Sequence, residues 1–265
     1  MEFKPWLART CSGQIWAWCS STRRATPSRR WLLWQKKAGR TCFCFDPGSD
    51  SSILFNPLIG GEAEVIEDLV TTYLIMNPDS PQYFKTLGDL VITNAMKVLK
   101  RLDASNGEDG YYSNFVWLSC LLQNINQGRE LVNKFIRIWG TTEDEAKENA
   151  DIASWFLNEY FDPSSEVYQN AAGVRSQMAK VINNRYLGHV LNPDIEKGDH
   201  SQVDFGRALA NGEVICICTA NELLREMGIF LHTLIGLRLK SALVKRIERP
   251  ALLYYRKGIR SWSIS

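Results

Sequence analysis

Few side chains in this chain have the type and spacing to do chemistry. Its histidines are His189, His200 and His232. His189 and His200 flank a loop carrying Asp194, Glu196 and Asp199, and such a donor set is one that a divalent metal accepts. No pair among them has the helical or hairpin spacing of a ligand set, so a solvated polar loop accounts for them better. His232, close to Leu231 and Leu234, reads as an ordinary helix histidine. Cys42 and Cys44 are two apart, as are Cys216 and Cys218. On a strand that spacing puts both thiols on one face, and it matches neither CxxC nor a zinc quartet. They read as small buried hydrophobes in a reducing cytoplasm. Glu143-Asp144-Glu145 offers carboxylates, but at a helix N-terminus the macrodipole explains them. No catalytic, nucleotide-binding or metal-binding residue is assigned.

The basic residues lie at the two ends. Residues 1–45 hold nine Lys/Arg and one acid, and residues 238–260 hold eight and one. The middle, 46–237, has 14 basic and 27 acidic residues, a net of −13. Five of the nine tryptophans fall in Trp6–Trp34, among Arg and Ser. Rings interleaved with Arg23, Arg24, Arg29 and Arg30 are the ingredients for stacking on nucleic acid, and these four are the candidate contacts. Residues 1–35 show no apolar period, however, and are expected to be irregular. Their composition is that of out-of-frame translation upstream of about Trp34. No signal peptide is expected. The most apolar stretch, Leu223–Leu239, contains Arg225, Glu226, His232 and Arg238, and reads as a buried helix rather than a membrane span.

The elements that would position any site are mostly helical. Arg40–Phe45 reads as a strand ended by Asp46-Pro47-Gly48, followed by extended chain to Phe55-Asn56-Pro57-Leu58. Apolar periodicity predicts helices over Glu62–Met76, Tyr83–Leu102, Ser113–Ile125, Gly128–Trp139, Thr142–Tyr160 and Ser165–Leu187. Tyr83–Leu102 would turn Leu87, Leu90, Val91, Ala95 and Val98 inward, and Asn106-Gly107 would stop it. Thr142 with Glu145 forms a capping box. Val214–Thr219 is apolar on both faces, the pattern of a central parallel strand. A helix over Asn221–Lys245 follows, and Pro250–Tyr255 is a further candidate strand. With so few strands to cover Val214–Thr219 and the helix Asn221–Lys245, a large apolar patch is expected to stay exposed.

Two short parallel strands thus bracket an all-α insertion. Phe45-Asp46-Pro47, then Phe55-Asn56-Pro57-Leu58, then a helical block, resembles the TraG/TraD-type coupling ATPases of conjugation and type IV secretion. Val203-Asp204-Phe205, Val214–Thr219 and Gly228-Ile229-Phe230 are similar to the stretch before that family's second nucleotide motif. The resemblance covers about residues 36–248. It implies a RecA-like P-loop NTPase core with an all-α domain that inspects cargo. It also implies ATP and magnesium as cofactors, relaxase-bound DNA as cargo, a homo-hexamer and an inner-membrane anchor.

This chain departs from that pattern. It contains no GxxxxGK[ST] phosphate loop. The apolar run Pro250–Tyr255 is followed by Arg256-Lys257 rather than by acids. The expectation is therefore a mostly α chain with a partial nucleotide domain: 1–35 irregular, 36–61 strand and FNPL segment, 62–200 all-α, 201–255 strand and helix, 256–265 tail. It would be a truncated coupling protein of DNA transfer, cytoplasmic, not hexameric and without ATP hydrolysis or bound cofactor. The alternative is a helical module that binds a relaxase or adaptor without ATP. Phe55, Asn56, Pro57 and Leu58 are the candidate partner contacts, with packing of the junction as their other reading.

Overall fold

The computed structural model describes residues 8–10, 13–15, 39, 41–138, 140, 142–217 and 224–247. Most of them are helical. Two strand pairs accompany the helices: β1 (Ala8–Thr10) with β2 (Gly13–Ile15), antiparallel, and β3 (Cys42–Phe45) with β4 (Val214–Ile217), parallel. The β1–β2 pair is a correction, since residues 1–35 are expected to be irregular throughout.

Nearly everything between β3 and β4 is helix. α1 (Glu62–Met76) and α2 (Gln82–Asn106) form an antiparallel pair. α1 begins with Glu62 and Glu64, whose charges suit the positive end of the helix dipole. α2 stops where Gly107 takes φ 80° and returns its N–H to the Asp103 carbonyl. The two helices pack closely at Gly88, where a Cβ would fall 2.2 Å from the Tyr73 ring. α2 is the central rod: Val91, Ile92, Ala95, Met96, Val98 and Leu99 are all fully buried. Leu90 is the exception to the predicted inward face, at 43% exposed.

α3 (Phe115–Gln123) and α4 (Ile125–Phe135) share a tight corner capped at both starts. Asn114 Oδ1 accepts from the Trp117 N–H at 2.9 Å, and Asn124 Oδ1 from the Gln127 N–H at 3.1 Å. α5 (Glu143–Trp155) opens on Thr142, whose Oγ1 accepts from the Glu145 N–H at 3.2 Å. It runs into a π turn, Phe156–Tyr160, that stacks Phe156, Tyr160 and Phe161 together in the core. The Tyr160 hydroxyl donates to the Leu122 carbonyl at 2.9 Å, and burial pushes its pKa up to about 12.

The single helix predicted over Ser165–Leu187 is broken. α6 (Glu166–Asn170) is one turn, and α7 (Ala172–Asn183) restarts after Ala171, whose ψ of 0° departs from the helical value. Asn184 then turns the chain, accepting from the N–H groups of Tyr186 and Leu187. α8 (Phe205–Asn211) leads into β4, and α9 (Glu226–Ile247) packs on α1 and α8. α9 begins after Arg225, which sits at φ 51°, so the unbroken helix expected from Asn221 starts at Glu226 among the described residues.

β3 and β4 pair in register, Cys42 opposite Val214 and Phe45 opposite Ile217. Phe45, Ile215 and Ile217 join the main core, and Val214 and Cys216 turn to the other face with Cys42 and Cys44. All four β4 residues are buried. The strand part of the expected apolar patch is thus covered over Val214–Ile217, while Ile229 and Val244 of α9 are exposed. Large exposed apolar side chains sit on helices instead, among them Ile75, Tyr83, Val116 and Ile229. Among the described residues, Glu226–Lys245 is the one helix long and apolar enough to cross a membrane by length and composition. Its Phe230, Leu231, Leu234 and Ile235 are buried in the core. Cys218–Thr219 and Pro250–Tyr255 lie outside the described residues.

Candidate functional site

The segment singled out in the sequence, Phe55-Asn56-Pro57-Leu58, joins the parallel strands to the helical block. Its backbone explains why. The Phe55 N–H donates to the Val190 carbonyl at 2.8 Å, and the Asn56 N–H to Ser201 Oγ at 3.1 Å. The Asn56 side chain accepts from the Leu58 N–H at 3.0 Å and donates to the Ser113 carbonyl at 2.8 Å. That is an Asx turn used as a bridge. The Phe55 ring meets Phe45 edge-on at 6.0 Å and Phe205 at 5.9 Å. All four side chains are buried, with Leu58 at 0% and Asn56 at 4% exposed. The apolar and amide groups of these residues are used inside the fold, as the junction-packing reading expects.

Immediately beyond, Arg238 of α9 ties the junction together. Its Nη2 donates to the Ile59 carbonyl at 2.5 Å, and its Nη1 lies 3.3 Å from Glu64 and 3.5 Å from Asp68. Gly60, at φ 127°, leaves room for that guanidinium, since a Cβ would lie 2.7 Å from it. Lys245 adds a second cation to Glu64. The two acids respond differently. Burial disfavours the charge on Glu64, but Lys245 and Arg238 outweigh it and hold the carboxyl below its usual range. Asp68 has only Arg238, so burial, with Glu64 and Glu67 nearby, pushes its carboxyl above that range. A cleft of about 370 Å³ opens here, between Phe55–Gly60, Ser201–Gly206 and α9.

The end of α2 carries a second polar cluster that no local pattern announced. Arg101, buried, reaches Glu62 of α1 at 3.1 Å and Glu148 of α5 at 2.5 Å, and Lys97 reaches Glu148 at 2.5 Å. Hydrogen bonds from Lys97 and Arg101 lower the Glu148 carboxyl. Burial disfavours the Arg101 charge, but Glu62 and Glu148 outweigh it and raise its pKa. Two residues on, the buried Asp103 carboxylate accepts from the N–H groups of Gly110, Tyr112 and Ser113 at 2.8, 2.5 and 3.1 Å. A single carboxylate thus shapes the loop that presents Tyr111, Tyr112 and Trp117.

Those rings form a ledge. Tyr111 and Tyr112 meet edge-on at 4.8 Å, and Tyr112 and Trp117 lie 5.4 Å apart. Across from them runs the loop with Asp194 and Glu196. Asp194 caps the 3₁₀ turn Ile195–Lys197, pairs with Lys197 at 2.6 Å and is lowered by that contact. The Tyr111 hydroxyl donates to Glu196 at 2.8 Å. The loop read from sequence as solvated therefore has structural partners. His189 and His200 are exposed on either side of it, and His232 is exposed on α9. Among the described residues no three of His, Cys, Asp and Glu stand together as a metal site.

In the turn after β3, the Gly48 N–H donates to the Asp46 carboxylate at 3.1 Å, and Glu64 and Asp204 line the neighbouring cleft. Arg23, Arg24, Arg29 and Arg30 lie outside the described residues. No family model, curated protein or solved structure matches the chain.

Proposed function

We propose that this chain is an internal part of a TraG/TraD-type coupling ATPase of DNA transfer: a fragment of a RecA-like core carrying its all-α domain. One observation carries the reading. β3 and β4 are parallel neighbours in register, although the entire helical block separates them. A helical domain inserted between adjacent parallel strands is what the resemblance implies. Without a phosphate loop, the chain by itself neither binds nor hydrolyses ATP, and it resides in the cytoplasm as a non-hexameric remnant. Calorimetry with ATP and magnesium tests this. The expected result is no binding heat, and saturable ATP binding overturns it.

A second reading has its own support. The net charge of −13 over residues 46–237 suits a basic protein partner better than DNA. The helical block would then serve as an interaction module that retains a relaxase or adaptor. A pull-down at low salt with a relaxase from the same element separates the two: retention supports the module, and no retention leaves an inert remnant.

A further inference from the structure

The groove between the aromatic ledge and the 193–196 loop combines rings with carboxylates. It holds about 240 Å³ between Tyr111, Val116, Trp117, Asp194 and Glu196. That is below the size of nucleotide or cofactor pockets and suits one long side chain. Its walls are aromatic and aliphatic, and Val116 is 44% exposed. Its rim is acidic on balance: Glu196 is exposed, Glu108 and Asp199 are exposed on the two adjoining loops outside the lining, and the exposed Lys197 pairs with Asp194. Aromatic faces attract cations, and they accept the aliphatic stem that carries one. Beside the groove, Lys134 Nζ stands 5.9 Å from the centroid of Tyr112, a ledge ring that does not itself line it. The groove is also pre-organised: Asp103 fixes one wall through three backbone N–H groups, and the Tyr111–Glu196 bond joins the two sides.

We propose that this groove is a docking site for an arginine side chain from a basic segment of a protein partner. Arginine is favoured over lysine because its planar head stacks on a ring while its N–H groups reach a carboxylate. The inference rests on the reading of the helical block as partner-facing, and does not depend on the family assignment. Its second consequence is a location, because the block's acidity is spread over many helices and the groove is one place.

Fluorescence anisotropy with a labelled Gly-Arg repeat peptide provides the test, with a Gly-citrulline peptide as the uncharged match. The full chain is expected to bind the arginine peptide and not the citrulline one. Trp117→Ala and the milder Glu196→Gln should each weaken binding by about fivefold or more. Asp151→Asn and Glu159→Gln, outside the groove, should leave it unchanged. Equal binding by all variants would overturn the groove and leave the acidic-surface reading intact. No binding by the wild-type chain at low salt would sink both. Binding of a labelled single-stranded oligonucleotide that Trp117→Ala abolishes would assign the groove to nucleic acid instead.

Discussion

The helical block and the two-stranded sheet solve the same problem in opposite ways. The block buries its apolar stripes largely through neighbours close in sequence, α1 on α2, α3 on α4 and α5 on its own π turn, with α3 on α7 as the longer-range contact. Several helices carry local start and stop signals, such as Thr142, Asn114 and Gly107. The sheet has only four residues per strand and depends on contacts made across the whole block. Its strands are joined to the block through Phe55–Leu58 and Arg238. Local contacts form at small entropic cost, whereas distant pairing becomes favourable only after the intervening chain is ordered. The block should therefore be the more autonomous region and the sheet the dependent one.

The sharpest test of that contrast is a core truncation in the block. Phe156→Ala, in the fully buried aromatic cluster, should cost about 3–5 kcal/mol and unfold block and sheet together, followed by far-UV circular dichroism in urea. Loss of the sheet alone would reverse the dependence. Arg238→Met should cost about 1–3 kcal/mol, because the Ile59 carbonyl and Asp68 lose their partner. Limited proteolysis should then cut near residues 59–61 first while a fragment of roughly the helical block survives. Thr142→Ala, which removes one cap from α5, should cost about 1 kcal/mol with no change in the cleavage pattern.

The smallest effect is electrostatic and depends on pH. Glu148 is held below its usual range by Lys97 and Arg101, so its contribution is present at neutral pH. It is lost as pH falls through the lowered value. Glu148→Gln should therefore lower the melting temperature slightly at pH 7, and the gap should close in acid below about pH 4. A gap that persists there would mean the contact is one of packing, not charge.

Much of the block was legible in sequence because its signals are short-range. The 3.6-residue period marked α1 over Glu62–Met76, as observed. The Thr142 cap and the Gly107 stop are single-residue chemistry that tertiary context left alone. The strand pair was legible from apolar runs bounded by turns. What was not legible depends on residues far apart. The burial of Asn56 is decided by Ser113 and Ser201. The groove joins Tyr111 to Glu196 across 85 positions, and neither residue advertises the other. The role of Asp103 comes from a loop that folds back over it.

The β3–β4 pairing has a consequence for how the chain is made. During synthesis β3 emerges long before β4. At roughly 5–20 residues per second, it waits on the order of 10–30 s for its partner. Over that interval a short strand with Phe43 and Phe45 is unpaired, with an open hydrogen-bonding edge of the kind that recruits other chains. The helices translated meanwhile close on one another, and α2 is complete well before β4 appears. The folded block then holds residues 46 and 213 about 17 Å apart, a distance set by strand rise and spacing. The late strand thus arrives beside the early one without searching for it.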